Sequence, residues 1–292
     1  MTEHGFADLH VHTTASDGTD TLAERCAQAQ AVGLPAFAVT DHDSLHPALS
    51  KPVIKYEQCH VISGAEIRAG VEGHEIELLG LFLNPQASDL QDVLARAQQH
   101  RIDRNQAIVE ALRTQTEFET TYDTLARRCD GVLTRPHLAE QLQREGVVDT
   151  HREAFQQYLN SGRSTHEPLQ LVDCATVISA IHAAGGIASL AHPGYFQPSE
   201  SDEMFDSLRS LVERLHAAGL DAIEVSYEYG DFGFSAPQAA TIATNLELLH
   251  TGGSDCHGLG TSATQIGDVR VSQPAFRRLS HKADIQLPRP LS

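Results

Sequence analysis

The sequence predicts an α/β barrel interrupted by a helical insertion. Short apolar runs alternate with amphipathic helical stretches in the first and last parts of the chain, the pattern of strands wrapped by helices. Between them a polar, helix-rich stretch breaks the alternation. The chain also holds 17 histidines, many of them beside Asp or Glu where an apolar run ends, and this gives the barrel its expected chemistry.

The elements follow in order. Phe6 to Val11 reads as a short buried strand. Thr19 or Asp20 then caps a helix over about 21–32, which Gly33 stops. Ala36 to Thr40, His60 to Ile67 and Ile76 to Phe82 read as strands, the last two paired through a turn at Gly70 to Gly73. Ser88 to about Leu112 is a long helical stretch, and 113–170 is polar and helical in character with few strand signals. Alternation then resumes. A helix over about Ala175 to Ala184 ends at Gly185-Gly186, and Ile187 to Ala191 is a strand. Glu203 to Ala218 is a helix, Ala222 to Val225 a strand, Ala236 to Thr244 a helix and Leu248 to Thr251 a strand. Gln286 to Ser292, with Pro288 and Pro290, reads as a loose tail. The expected division is a barrel from 1–98 and 171–292, with a helical insertion at 99–170.

With 292 residues, 41% of them hydrophobic, the chain has ample material for a core, and its composition excludes disordered, collagen-like and disulfide-stapled classes. Five widely spaced cysteines form no C-x-x-C, so reduced thiols are expected. No apolar run approaches the roughly 18 residues of a membrane span, and the first residues lack a secretory pattern, so a cytoplasmic protein is expected. The formal charge of −18 argues against binding long nucleic acid, which rests on many cationic contacts to phosphate. The basic residues are 18 Arg against 3 Lys, a bias that suits bidentate phosphate contacts and also suits a GC-rich genome. Residues 101–170 carry 9 Arg and a net charge of only −2, against −16 for the rest, so the insertion suits an anionic ligand better than the barrel surface does.

The polar clusters fall at strand ends: Asp8-Leu9-His10-Val11-His12, Thr40-Asp41-His42-Asp43, Gly64-Ala65-Glu66, Ala191-His192-Pro193, Glu224-Val225-Ser226 and Gly253-Ser254-Asp255-Cys256-His257. Residues two apart in a strand share a face, so His10 and His12 point the same way, and Cys256 points away from Asp255 and His257 as a packing residue. In barrel-type folds these strand ends converge on one mouth. Carboxylates gathered there repel one another unless cations neutralise them, and imidazole with carboxylate suits Mn, Zn or Fe. Glu224 is either an orienting partner for a histidine or a solvated strand end. Arg101, Arg104 and Asn105 lie at i, i+3 and i+4 on one helix face, and Thr134-Arg135-Pro136-His137 is a compact donor group; solvated surface arginines are the alternative.

The motif Asp8-Leu9-His10-Val11-His12 with Ser16-Asp17-Gly18 resembles the first motif of the PHP (polymerase and histidinol phosphatase) family. Thr40-Asp41-His42-Asp43 resembles the second, Ala191-His192-Pro193 the third and Gly253-Ser254-Asp255-Cys256-His257 the fourth. The resemblance spans the barrel portion in order. It implies a distorted seven-stranded barrel related to the amidohydrolases, with a di- or trinuclear metal site that hydrolyses phosphate esters. By that resemblance His10 and His12 hold one metal, with Asp255 completing its set and Glu66 bridging to a second, which His192 serves. Asp17, His42 and His257 hold a third. Three Mn²⁺ per chain are implied, with Zn or Fe as alternatives. Asp255, His192, Asp17 and His42 carry the catalytic expectation, a water between two metals attacking phosphorus. His192 or a water linked to Asp255 is a candidate for protonating the leaving oxygen. The family places a histidine where this chain has Glu77, in Glu77-Leu78-Leu79-Gly80; Glu77 is kept as the ligand, with His74 ranked second.

The branch this chain resembles most hydrolyses nucleoside 3′,5′-bisphosphates to the 5′-monophosphate and phosphate, and some members trim short 5′-phosphorylated oligonucleotides. In that branch the Arg-x-x-Arg helix and the Arg-Pro-His turn hold substrate phosphates, which implies Arg101, Arg104, Asn105, Arg135 and His137 here. The alternatives are a histidinol phosphate phosphatase, an amidohydrolase cleaving a C–N bond and a non-catalytic module. No membrane and no obligate protein partner are expected.

Overall fold

The computed structural model describes residues 5–57, 59–129, 131–160, 163, 165, 170–195, 204–227, 235–258 and 264–285. The loose tail expected at 286–292 lies outside them. The first part holds β1 (Ala7–Val11), α1 (Leu22–Ala31), β2 (Ala36–Val39), β3 (Val53–Tyr56), β4 (Cys59–Val71) and β5 (His74–Leu81). Helices α2 (Ser88–Gln115), α3 (Tyr122–Ala126), α4 (Arg135–Arg144) and α5 (His151–Ala154) follow. The last part holds β6 (Val172–Asp173), α6 (Cys174–Ala183), β7 (Ile187–Leu190), α7 (Met204–Ala217), β8 (Ala222–Ser226), α8 (Ala236–Asn245), β9 (Leu249–Gly252) and α9 (Gln273–Lys282).

Seven strands follow one path, β1-β2-β4-β5-β7-β8-β9, with β3 and β6 paired to the flanks of β4. The path curls back on itself: a parallel bridge joins Val11 to Cys256, just beyond β9. The sheet is therefore the distorted seven-stranded barrel expected of the sequence. Its strands are parallel except β5, which runs antiparallel to both β4 and β7. This exception positions the site. The C-terminal ends of the parallel strands meet at one mouth, and β5 brings its N-terminal half there instead.

Alternation sorts the side chains. Ala36, Ala38, Ile62, Leu79, Leu81, Ile187 and Ala222 fill the inside of the barrel, together with Phe276 and Leu279 of α9. Phe37, Val39 and Val61 face outward beneath α1. A register shift between Asp8 and Val11 interrupts the alternation in β1. Ala7 and Leu9 therefore join the inner cluster, Val11 the outer one, and His10 and His12 reach the mouth.

Helix α2 links two cores. Leu90, Val93, Leu94 and Ala97 pack against the barrel. Ile108, Val109 and Leu112 pack with Phe118, Leu125, Leu133, Leu138, Leu142 and Leu159 in a separate cluster. The sequence reading missed β3, β6 and α9. β3 is a short flank strand with Lys55 and Tyr56 exposed, and β6 has two residues. In α9 the Ser272 cap and the proline in the first turn were readable signals.

Candidate metal centre

Every site residue starts from a local restraint. Asp41, fully buried, accepts hydrogen bonds from Thr13 N–H (2.8 Å), Thr13 Oγ1 (2.7 Å) and Ser16 Oγ (2.7 Å). This clamps the loop after β1 and delivers Asp17. Asp8 accepts from Ser254 N–H (2.9 Å), Ser254 Oγ (2.6 Å) and Gly267 N–H (2.8 Å), which fixes the segment carrying Asp255. Burial pushes the Asp8 carboxyl up to about 6 in spite of those donors. Arg25, fully buried, donates to the carbonyls of His12 (3.0 Å) and Cys256 (3.2 Å) and so ties the two strand ends together. At Gly253 the chain passes so close to β1 that a Cβ would collide with the backbone of His10 and stand 2.8 Å from Asp8 Oδ1. Asp43, His192 and Asp255 all have positive φ, at 48°, 25° and 51°. Backbone strain of this kind in non-glycine residues clusters at functional sites.

Glu66 sits at the centre. Its Oε1 lies 3.3 Å from His10 Nε2 and 2.8 Å from His192 Nε2; its Oε2 lies 3.5 Å from His12 Nε2 and 2.8 Å from His42 Nδ1. Asp255 Oδ1 lies 3.3 Å from His10 Nε2 and 3.2 Å from His12 Nε2. Asp17 faces His42 at 3.5 Å and His257 at 3.3 Å. Glu77 Oε2 is 3.0 Å from His192 Nε2. Ligand atoms gather within 4.8 Å in three overlapping groups: His12, Asp17, His42 and His257; His10, His12 and Glu66; and His42, Glu66 and Glu77.

His192 Nε2 and Glu66 Oε1 make a hydrogen bond, but several of the other contacts are close and poorly aligned. His10 Nε2, His12 Nε2, Asp17 Oδ1 and His42 Nδ1 are buried and make no hydrogen bond with proper geometry. Buried polar atoms of a folded protein normally have partners. Lone pairs aimed at common points rather than at one another are what a set of cation ligands requires, so the residues present fit divalent metal ions.

The electrostatics agree. Burial opposes ionisation of Glu66, but His10 and His42 outweigh it and hold the carboxyl well below its usual range. Burial likewise opposes ionisation of Asp255, and His10 and His257 still bring it down to about 2. For His257, burial is overcome by Asp17 and Asp255, which raise it to about 10. His12 is lowered, by burial first and by His257 next. The carboxylates thus stay anionic because protonated imidazoles surround them, and bound cations would take the place of those protons.

Glu224 is no solvated strand end. It is fully buried, lies 3.2 Å from His10 Nδ1 and accepts the His192 N–H at 2.6 Å. A carboxylate can only accept, so it holds the proton on Nδ1 and leaves the Nε2 lone pair facing Glu66 and Asp255. Glu224→Gln is expected to weaken binding of one Mn²⁺ by about 10–100-fold, measured by calorimetric titration, with the fold intact. Cys256 packs in the outer core and accepts a contact from Arg25, so it takes no part in the mouth. His74 lies beside the hairpin turn, paired with Val71, outside the three ligand groups.

The arginines form a second cluster. Arg104 is buried on α2; burial and the neighbouring Arg135 and Arg68 lower its guanidinium to about 10. Arg135 is lowered by burial and by Arg68, and its guanidinium lies 5.9 Å from the centre of the Phe155 ring. His137 is lowered by burial, while Asp17 pulls it the other way. Its Nδ1 accepts from Thr134 N–H at 3.0 Å, which fixes the ring at the start of α4. Arg101 and Asn105 have protein partners: Arg101 is clamped on Asp43, and Asn105 Nδ2 donates to Leu133 O at 2.8 Å. Arg68 was missed by the sequence reading, although its spacing of two from Glu66 places both on one face of β4. A cavity of about 550 Å³ lined by His216, Leu249, Arg278 and Lys282 opens at the N-terminal ends of β8 and β9, away from all of this chemistry.

An α/β barrel with histidines and carboxylates converging at the strand ends defines the class of metal-dependent hydrolases. The comparison with known proteins narrows it. The chain matches the PHP domain over residues 8–171 and belongs to that family. It is 31% identical to a 5′-3′ exoribonuclease of Haemophilus influenzae, over 86% of this chain and 89% of that protein. It is 27% identical to a 3′,5′-nucleoside bisphosphate phosphatase of Chromobacterium violaceum, over 97% of this chain and 98% of that one. Among solved structures, a protein described as a metal-dependent phosphoesterase, from Bifidobacterium adolescentis, superposes with a TM-score of 0.78 at 26% identity, covering 95% of this chain and 96% of that one. The protein is a metal-dependent phosphoesterase of the PHP family. Among the described residues no helix is long and apolar enough to cross a membrane.

Proposed function

We propose that the enzyme cleaves the phosphoester on the 3′-oxygen of a nucleotide that carries a 5′-phosphate. The substrates are nucleoside 3′,5′-bisphosphates and short 5′-phosphorylated oligonucleotides. The observation that carries this reading is the pairing of two sites at one mouth: a His/carboxylate cluster suited to reaction, and a buried arginine cluster suited to a second anion. The relatives named as a bisphosphate phosphatase and an exoribonuclease fit one bond chemistry. A 3′-phosphate that ends the chain yields phosphate; one that continues to another nucleotide yields a shortened oligonucleotide; both leave a 5′-monophosphate.

In this reading the barrel residues 1–98 and 171–292 carry the cations and residues 99–170 help to hold the substrate, in a cytoplasmic protein. His10, His12, Glu66 and Asp255 hold one cation; Glu66, Glu77 and His192 a second; Asp17, His42 and His257 a third. Manganese is the expected metal, and bound cations polarise the phosphate and make a water acidic near neutral pH. Arg104, Arg135 and His137 bind the 5′-phosphate, with Arg101 and Asn105 bracing the helix that presents Arg104. Asp255, at 19% the most exposed carboxylate of the cluster, takes the proton of the attacking water as the P–O3′ bond breaks, and the departing 3′-oxygen is protonated by His192 or by a water linked to Asp255.

The test compares a trinucleotide bearing a 5′-phosphate with the same trinucleotide bearing a 5′-hydroxyl. The expected result is release of a 5′-monophosphate from the first at a kcat/KM at least about 100-fold higher, the worth of a lost charge-assisted anchor. Equal rates would remove the 5′-phosphate from the reading. Hydrolysis of histidinol phosphate or of an amide in preference to both would replace it.

A further inference from the structure

Arg68 and Glu77 are direct cross-strand partners in the β4–β5 hairpin. Arg68 Nε donates to Glu77 Oε1 at 2.8 Å, and Nη2 donates to the same oxygen. Its Nη1 lies 2.9 Å from Glu75 Oε1. Glu77 thus has one oxygen held by a guanidinium, and only the other, Oε2, faces His192. The arginine is itself fixed. Its backbone N–H donates to Asp43 Oδ1 at 3.0 Å, and Asp43 Oδ2 is held by Arg101. It is also nearly buried, so water screens its charge little.

We propose that Arg68 is a resident cation that sets the occupancy of the Glu66–Glu77–His192 site. This rests on the reading that those three residues hold a metal ion. A permanent positive charge on one oxygen of Glu77 leaves that oxygen unable to serve as a second donor and repels a divalent ion beside it. In the set built on His12, Asp17, His42 and His257, the carboxylate turns both oxygens to imidazoles, Asp17 Oδ1 to His12 and His257 and Oδ2 to His42. The consequence is unequal binding: one cation of the cluster is weak and exchangeable, and the others are tight. Arg68 is a positioning residue here, acting through Glu77.

The test is titration of the metal-stripped protein with Mn²⁺ alone, followed by calorimetry and by counting bound metal after dialysis. The wild type is expected to bind one equivalent at least about tenfold more weakly than the rest. Arg68→Gln removes the charge and should tighten that equivalent about tenfold or more, with the other equivalents unchanged. Arg68→Lys keeps the charge and should stay near wild type. The unchanged tight equivalents show that each variant is folded. Glu77→Gln should abolish the weak equivalent. If Glu77→Gln binds like the wild type, the ligand assignment fails and this inference with it. If Glu77→Gln loses the equivalent but Arg68→Gln binds as the wild type does, or more weakly, the inference about Arg68 alone is overturned.

Discussion

Glu66→Gln is expected to lose at least about 10³-fold in kcat and to hold fewer cations. No other side chain of the cluster has comparable reach. Its two oxygens stand within 3.5 Å of His10, His12, His42 and His192, which come from β1, the end of β2 and the end of β7. Removing one preorganised electrostatic group from an active site costs about 10²–10³-fold, and in the proposed reading Glu66 serves two cation positions at once. The substitution keeps volume and shape, so packing is not the cause. The amide also carries two N–H donors, which would face imidazole nitrogens meant to be acceptors. Metal counting separates this account from unfolding: far-UV circular dichroism should match the wild type while bound Mn²⁺ drops. Full cation content with near wild-type turnover would refute the central place given to Glu66.

Arg104→Ala is expected to raise KM for a nucleoside 3′,5′-bisphosphate by about 10–100-fold and to leave a plain phosphomonoester almost unaffected. Arg104 is 4% exposed and sits in a group of guanidinia that repel one another. At about 10 it remains charged at neutral pH, so it keeps full value toward a phosphate. Relief of that crowding offsets part of the packing lost on truncation, and Arg104→Met, which preserves the buried stem, isolates the charge. Steady-state kinetics on both substrates make the check. Equal rises for bisphosphate and monoester would place Arg104 at the reacting phosphate instead of the distant one.

The barrel and most of the centre were legible in the sequence for one physical reason. A buried apolar strand that ends in His, Asp or Glu is conspicuous, because such groups are costly there without a partner. His10, His12, His42, His192, Asp255 and His257 all announce themselves in this way. Glu77 was harder, because it lies in the N-terminal half of a strand and reaches the mouth only through the antiparallel direction of β5. The supports were mostly illegible. Arg25 reads as an ordinary surface residue of an amphipathic helix, yet it is fully buried across two strand ends. Arg68 follows the normal alternation of β4, and only the register with β5 shows that it meets Glu77. Glu224 was visible, but its choice between solvent and a histidine depended on the depth of β8 in the barrel. Arg101 and Asn105 were rightly placed on one helix face, while their partners Asp43 and Leu133 lie far away in sequence.

The most direct measurement is phosphate release from adenosine 3′,5′-bisphosphate by the purified protein, with added Mn²⁺ and again after chelation. The account predicts Mn²⁺-dependent release of one phosphate with adenosine 5′-monophosphate as the other product, abolished by chelation and restored by Mn²⁺. No release from a preparation shown to hold two or more cations per chain would contradict it, as would loss of the 5′-phosphate instead.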